Sequence, residues 1–186
     1  ALDRLEAWLG SVDAYDETRN LPALPGTPRL SADLKFGTVA ARRITAEVGE
    51  ATGGRAAFVR QLAWRDWYTH MMWENPAMAD SAVRSEYDGI AWQDDPDEFA
   101  AWCAGRTGYP LVDAGMRQLV ETGWMHNRLR MICASFLVKD LLVDRSKGER
   151  FFRHHRIEAD LSQNVGNWQW VAGTGTDAEP YFTVFN

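Results

Sequence analysis

An all-α domain is the fold class this sequence predicts, and three features predict it. In residues 123–140, GWMHNRLRMICASFLVKD, apolar positions recur at spacings of three and four: Leu129, Ile132, Cys133, Phe136, Leu137 and, just beyond, Leu141 form a broad stripe. Alternating strand patterns are nearly absent from the rest of the chain. Helix breakers cluster between periodic stretches, as at Pro22, Pro25, Gly26 and Pro28.

In chain order, a helix is expected over residues 1–9, followed by the proline-broken connection and a second helix over 38–48. The third spans 55–73, where RQLAWRDWYTH sets Gln61, Trp64, Arg65 and Tyr68 on one face. Helices over 97–104 and 110–121 precede the striped helix over 127–143, and the last covers 147–154. Residues 173–180 read as an ordered loop. No internal repeat or low-complexity tract divides the chain, so residues 1–186 read as one domain.

A chain of 186 residues, 46% hydrophobic and with nine Trp, can enclose a large core. No apolar run approaches the roughly 18 residues of a membrane span, and no charged-then-apolar leader stands at Ala1, so no membrane association is expected. Cys103 and Cys133 lack CxxC spacing, which points to a reducing, cytoplasmic setting. A net charge of −6 argues against indiscriminate coating of nucleic acid. Arg60, Arg65, Arg117, Arg128 and Arg130 stand apart from acids at 13–17 and 94–98, as either a local basic patch or scattered solvated arginines.

Opposite the stripe, Asn127, Arg130, Met131 and Ala134 share a face. An amide, a guanidinium and a thioether together suit a polar heterocycle, although a core helix whose Arg and Asn reach solvent has the same pattern. NVGNWQWVAGTGTDAEPYF (Asn164 to Phe182) sets Trp168, Trp170 and Tyr181 among Gly166, Gly173 and Gly175, a composition suited to flat rings and close backbone approach. His154, His155 and Glu158 invite a metal reading, but adjacent histidines on a helix point in different directions and no metal is expected.

These segments, with YDETRNLPALPGTPRLSADLKFG (Tyr15 to Gly37), RQLAWRDWYTH and RTGYPLVDAGMRQL, resemble the FAD-binding domain of the photolyase and cryptochrome family, and most closely its class I cyclobutane pyrimidine dimer photolyases. The resemblance implies FAD as cofactor and damaged DNA as partner for a monomeric protein. It also implies that family members carry an N-terminal α/β antenna domain with its own chromophore and helices beyond Phe185 and Asn186. On that reading the chain is a partial FAD-binding domain, truncated at its C-terminal end.

Residue by residue, the resemblance assigns Tyr15 and the loop Thr27, Pro28, Arg29, Leu30 and Ser31 to the cofactor, its phosphates resting on Thr27, Arg29 and Ser31. The family commonly has Ser where Pro28 stands, so one N–H and one hydroxyl are missing here. Phe58, Arg65, Asn127, Arg130, Glu158, Ala159, Asp160 and Asn164 are assigned to flavin and adenosine, with Arg130 and Asp160 as an ion pair that the sequence alone reads equally well as a surface salt bridge. Arg19, Gln61, Trp64, Tyr68, Asn127, Arg128, Met131 and Trp170 are assigned to DNA and a flipped-out lesion. Without the resemblance the aromatic members read as a core stripe.

Gln61 stands where dimer photolyases often carry Glu; its amide still donates a hydrogen bond but supplies no proton. Asn164 is the photolyase choice near flavin N5. Trp168 and Trp92 match the inner and outer members of the family's tryptophan electron path, with Arg145 in the middle position. A guanidinium is not readily oxidised, so the path is expected to be interrupted unless Trp102 or Tyr109 replaces the missing ring. Light-driven repair of cyclobutane pyrimidine dimers is thus the expected activity, with a light receptor lacking repair, or a fragment that binds nothing tightly, as alternatives.

Overall fold

The computed structural model describes residues 1–176; Tyr181 and the later part of the expected 173–180 loop lie outside them. Ten α-helices are found among the described residues, with no strand. They fall into two compact units, one of residues 1–67 and one that begins at residue 68.

In the first unit, α1 (Leu2–Leu9), α2 (Tyr15–Thr18), α3 (Ser31–Phe36) and α4 (Ala41–Val48) are followed by the start of the long helix α5 (Gly53–Glu74). Leu5, Trp8, Val12, Tyr15, Leu30, Ile44, Val48, Phe58 and Leu62 form its core. At its heart Trp8, Tyr15 and Phe58 meet, with ring centroids 4.5 Å apart for Trp8–Phe58 and 5.2 Å for Tyr15–Phe58, the tilted and edge-on contacts that aromatic quadrupoles favour. Arg55 fastens α5 to the segment before α2 by donating from Nε to Asp13 Oδ1 at 2.6 Å.

In the second unit the end of α5 is followed by α6 (Pro96–Cys103), α7 (Pro110–Thr122), α8 (Asn127–Ser135), α9 (Arg145–His155) and α10 (Leu161–Ala172). The expected stripe is core: Leu129, Cys133 and Leu137 are buried, with Ile132, Phe136 and Leu141 packed against them. Trp102, Met116, Leu119, Phe152 and Trp168 complete the centre. Asp113 closes the RTGYPLVD turn by accepting from Thr107 N at 2.8 Å and Thr107 Oγ1 at 2.6 Å.

Several boundaries differ from expectation, each for a local reason. The helix expected over 127–143 ends as an α-helix at Ser135 and continues as a π-turn, Phe136–Asp140, in which Leu141 N donates to Phe136 O. It then stops at Leu142, whose φ is +51°. The helix expected over 147–154 starts at Arg145, because the Asp144 carboxylate accepts from Ser146 N. Three helices were not expected, α2, α3 and α10. Asp160 caps α10 through Gln163 N, and Gly173 closes it with φ +74°. Most of α10 is buried, including Asn164, Val165, Gly166, Trp168 and Gln169, so no polar face marks its period.

Glycine marks a tight approach where α9 meets α10: a Cβ at Gly148 would lie within the van der Waals envelope of the Trp168 ring and of Leu137. Helix propensity alone would make Gly148→Ala stabilising by about 1 kcal/mol. Overpacking against a buried indole reverses the sign, and a net loss of about 1–3 kcal/mol is expected in urea denaturation. Unchanged or increased stability would show that the interface yields.

Candidate functional site

A buried ionic cluster joins α8, the link from α9 to α10, and α10. Arg156 leaves α9 in extended conformation, ψ 135°, so its side chain and that of Glu158 fall on the same side of the link. Its Nε donates to Glu158 Oε1 at 2.9 Å, and Nη2 donates to the same oxygen. Arg130, on α8, reaches Glu158 Oε1 from Nη2 at 3.3 Å while its Nε donates to Met125 O at 2.7 Å. One carboxylate thus serves two guanidiniums.

Asn164 completes the cluster. Its Oδ1 accepts from Arg156 Nη1 at 3.1 Å, and its Nδ2 donates to both the main-chain oxygen and Oε1 of Glu149, each at 2.9 Å. Arg130 reaches Glu158 at 3.3 Å, and Asp160, the acid expected as its partner, accepts from Ser162 Oγ at 2.8 Å and Gln163 N at 3.2 Å. Ala159, with φ +38°, sits between the two acids.

Burial, and then the Arg156 charge, pull Arg130 down to about 9 against the opposing pull of Glu158, leaving it charged at neutral pH. Burial raises the Glu158 carboxyl, but the Arg130 and Arg156 charges outweigh it and hold the group below its usual range. The folded state therefore binds this proton less readily than the unfolded chain, whose Glu titrates near about 4.3. The cluster's stabilisation is present above that pH and lost as pH falls through the folded value. Thermal unfolding between about pH 6 and 3 should fall more steeply in the unmodified protein than in Glu158→Gln. Parallel curves would rule out Glu158 as the titrating group.

Asn127, Arg128 and Met131 form a second group at the start of α8. Asn127 Nδ2 and Arg128 Nη1 lie 3.7 Å and 3.6 Å from Met131 Sδ. Trp170 is half-buried against the core, and Tyr68 is buried in contact with Gly166. His155 Nδ1 lies 2.9 Å from Phe151 O and His154 is exposed. Among the described residues no group of three or more His, Cys, Asp or Glu side chains is arranged to hold a metal.

In the first unit Tyr15, Arg19 and Gln61 come together: Arg19 lies 5.5 Å above the Tyr15 ring, and its Nη2 donates to Gln61 Oε1 at 3.3 Å. Gln61 Nε2 donates to Ala57 O at 3.2 Å, which sets its amide orientation. Phe58 and Tyr15 are core residues. Trp64 is 39% exposed and meets Trp67 edge-on at 5.3 Å. Arg65 Nη2 donates to Leu34 O at 3.4 Å. In the phosphate-type loop Arg29 is exposed with φ +51°, Pro28 and Leu30 are buried, and Thr27 and Ser31 are half-buried.

Trp168 is buried, with its ring centre 5.0 Å from Phe152 and 6.2 Å from Trp102. Trp92 is half-buried against the same core. Arg145 is buried; burial lowers its pKa against the charges of Asp144, Asp88 and Glu149. Tyr109 is 60% exposed and packs on Phe136.

Sequence reasoning missed three buried polar residues. Arg156 and Glu149 hold Asn164, and the only trace of Arg156 was its two-residue spacing from Glu158. Gln169, inside WQW, accepts from Val83 N at 2.8 Å and donates to Met78 O and Ser81 O, each at 2.9 Å, so it clamps a loop. A polar residue between two tryptophans was the available signal.

Comparison with known proteins identifies the family of the chain. The family model described as the FAD binding domain of DNA photolyase matches residues 58–186. The deoxyribodipyrimidine photo-lyase of Escherichia coli strain K12 is 49% identical over 179 residues, 92% of this chain and 38% of that protein. The enzyme of that name from Alkalihalophilus pseudofirmus is 45% identical over 190 residues, covering 100% of this chain and 40% of that protein. A bacterial class III photolyase from Agrobacterium tumefaciens superposes with a TM-score of 0.94 at 41% identity, over 100% of this chain and 40% of that one. A cryptochrome from Synechocystis sp. PCC6803 superposes at 0.90 with 33% identity, again over 100% of this chain and 40% of the other. The chain thus spans about two fifths of the length of the relatives it matches. With 129 of its 186 residues inside the family model and a helical unit that superposes on photolyases, it belongs to the FAD-binding domain family of the DNA photolyases.

Proposed function

We propose that this chain is the FAD-binding core of a deoxyribodipyrimidine photo-lyase that repairs cyclobutane pyrimidine dimers in damaged DNA. The observation that carries the reading is continuity: relatives of that name match nearly the whole chain, and this chain holds a buried Arg130–Glu158–Arg156–Asn164 cluster. Two guanidiniums, a carboxylate and an oriented amide are a donor and acceptor set that fits the edge of an N- and O-rich ring. A lone structural ion pair would not need Asn164 held at both ends.

When bound, FAD supplies the electron that opens the dimer; the residues bind, orient and exclude water. Arg130, Glu158 and Asn164 would hold the flavin, and Thr27, Arg29 and Ser31 the phosphates. Asn127, Arg128, Met131 and Trp170 would meet the lesion. Gln61, its carbonyl held by Arg19 and one amide hydrogen by Ala57 O, keeps one N–H for a dimer carbonyl. The protein is read as cytoplasmic and monomeric, with any antenna chromophore held elsewhere in a longer protein. No described helix is long and apolar enough to cross a membrane.

The test is to add FAD, record its absorbance, reduce it with dithionite, and illuminate with a dimer-containing oligonucleotide while counting restored thymines. Restored thymines support repair. Bound, reduced flavin without repair favours the light-receptor reading, which Gln61 and the likeness to a cryptochrome support. Absence of flavin uptake overturns both.

A further inference from the structure

Within the cluster, Arg130, Glu158 and Asn164 are assigned to the cofactor by family resemblance, whereas Arg156 is assigned to nothing. It is nevertheless the side chain that joins the other parts. Its guanidinium is buried, with Nε and Nη2 on Glu158 and Nη1 on Asn164 Oδ1. A residue placed only to neutralise Glu158 would be redundant, since Arg130 already lies 3.3 Å from that carboxylate.

The consequence lies in the Asn164 amide, which has two N–H donors and an oxygen with two lone pairs. Both hydrogens are taken by Glu149, through its main-chain oxygen and Oε1 at 2.9 Å each. One lone pair is taken by Arg156 at 3.1 Å. A flipped amide would set its NH₂ against a guanidinium and its oxygen against a carboxylate, two repulsive contacts in a low-dielectric interior. The remaining capacity of Asn164 is therefore one oxygen lone pair, an acceptor, polarised by the guanidinium behind it.

We propose that Arg156 is a positioning residue that fixes Asn164 as a hydrogen-bond acceptor, and so biases the site toward the reduced, N–H-bearing form of the flavin over the oxidised form, whose ring nitrogen is itself an acceptor. The inference rests on the reading of the site given under Proposed function. The nearby positive charge acts in the same direction, because the reduced flavin is an anion and the oxidised flavin is neutral.

An anaerobic redox titration of the flavin-loaded protein tests it, with dithionite delivering two electrons and solvent one proton per flavin. In Arg156→Leu and Arg156→Gln the ratio of reduced to oxidised affinity should fall about tenfold, read as a potential about 30 mV more negative for a two-electron couple. Arg156→Lys, which keeps a charged donor, should retain most of the unmodified potential. Arg150→Leu, which removes an exposed charge from α9, the helix that precedes Arg156, should leave it unchanged. A merely structural role would alter flavin retention but not this order of potentials. If Arg156→Leu does not hold flavin, the Gln and Lys variants decide. Equal potentials in the Gln variant and the unmodified protein, with flavin bound in both, overturn the inference alone. An unmodified protein that takes up no flavin overturns the functional reading and the inference with it.

Discussion

Glu158→Ala is expected to destabilise the second unit by about 3–5 kcal/mol and to abolish flavin retention, because it leaves two buried guanidiniums facing each other without a carboxylate. Glu158 is 3% exposed and is shared between Arg130 and Arg156. Loss of either arginine should be milder, since the carboxylate keeps one partner: Arg130→Ala leaves the Arg156 hydrogen bonds, and Arg156→Ala leaves the 3.3 Å contact to Arg130. The three substitutions should therefore be strongly non-additive in urea denaturation, with Glu158→Ala costing more than either arginine variant. A loss below about 1 kcal/mol for Glu158→Ala would mean that water enters the cluster and screens it. Flavin retention in Arg130→Ala equal to that of the unmodified protein would remove Arg130 from the cofactor wall.

Trp102→Phe is expected to slow light-driven reduction of oxidised flavin about tenfold, equivalent to about 1.4 kcal/mol in the barrier. Arg145 in the middle position of the family's tryptophan path carries no oxidisable ring, yet Trp168 is not isolated. Trp102 meets it edge-on, ring centres 6.2 Å apart at 73°, fully buried, with its indole Nε1 donating to Cys133 O at 3.0 Å. On the proposed reading, that carbonyl would stabilise positive charge developing on the indole if Trp102 gave an electron to oxidised Trp168. The rings stacked on Trp102, Phe99 and Phe152, are harder to oxidise. Tyr109, exposed and seated on Phe136 at 4.8 Å, should be silent, so Tyr109→Phe should not change the rate. Arg145→Trp should raise it. Repair by flavin already reduced with dithionite should stay unchanged in all these variants, because no electron need enter from outside. An unaltered rate in Trp102→Phe, together with its loss in Trp92→Phe, would discard Trp102 as the relay.

The amphipathic elements were legible in the sequence. Leu129, Cys133 and Leu137 announce the buried face of α8 and its continuation because a helix with one wet side must repeat its apolar residues every three to four positions. Element α10 was not legible, because a helix buried on most sides, with Asn164, Gln169 and Gly166 facing other elements, has no such contrast to repeat. The family motifs carried the cofactor and the candidate residues, since Asn127, Arg130, Glu158 and Asn164 stand at motif positions whatever their contacts.

What the sequence by itself determined is therefore the fold class, the family and the residue types available for chemistry, all properties of local pattern. The partners of those residues were decided by tertiary structure alone. Glu158 and Asp160 are two residues apart and chemically similar. The extended link at Arg156 and the positive φ of Ala159 set Glu158 beside Arg130 and make Asp160 a helix cap. The same packing brings Glu149, fifteen residues away, onto the Asn164 amide, and Trp102, on α6, onto Trp168. Hydrogen bonds and ring contacts act over a few ångströms, and only the packed chain sets which groups come that close.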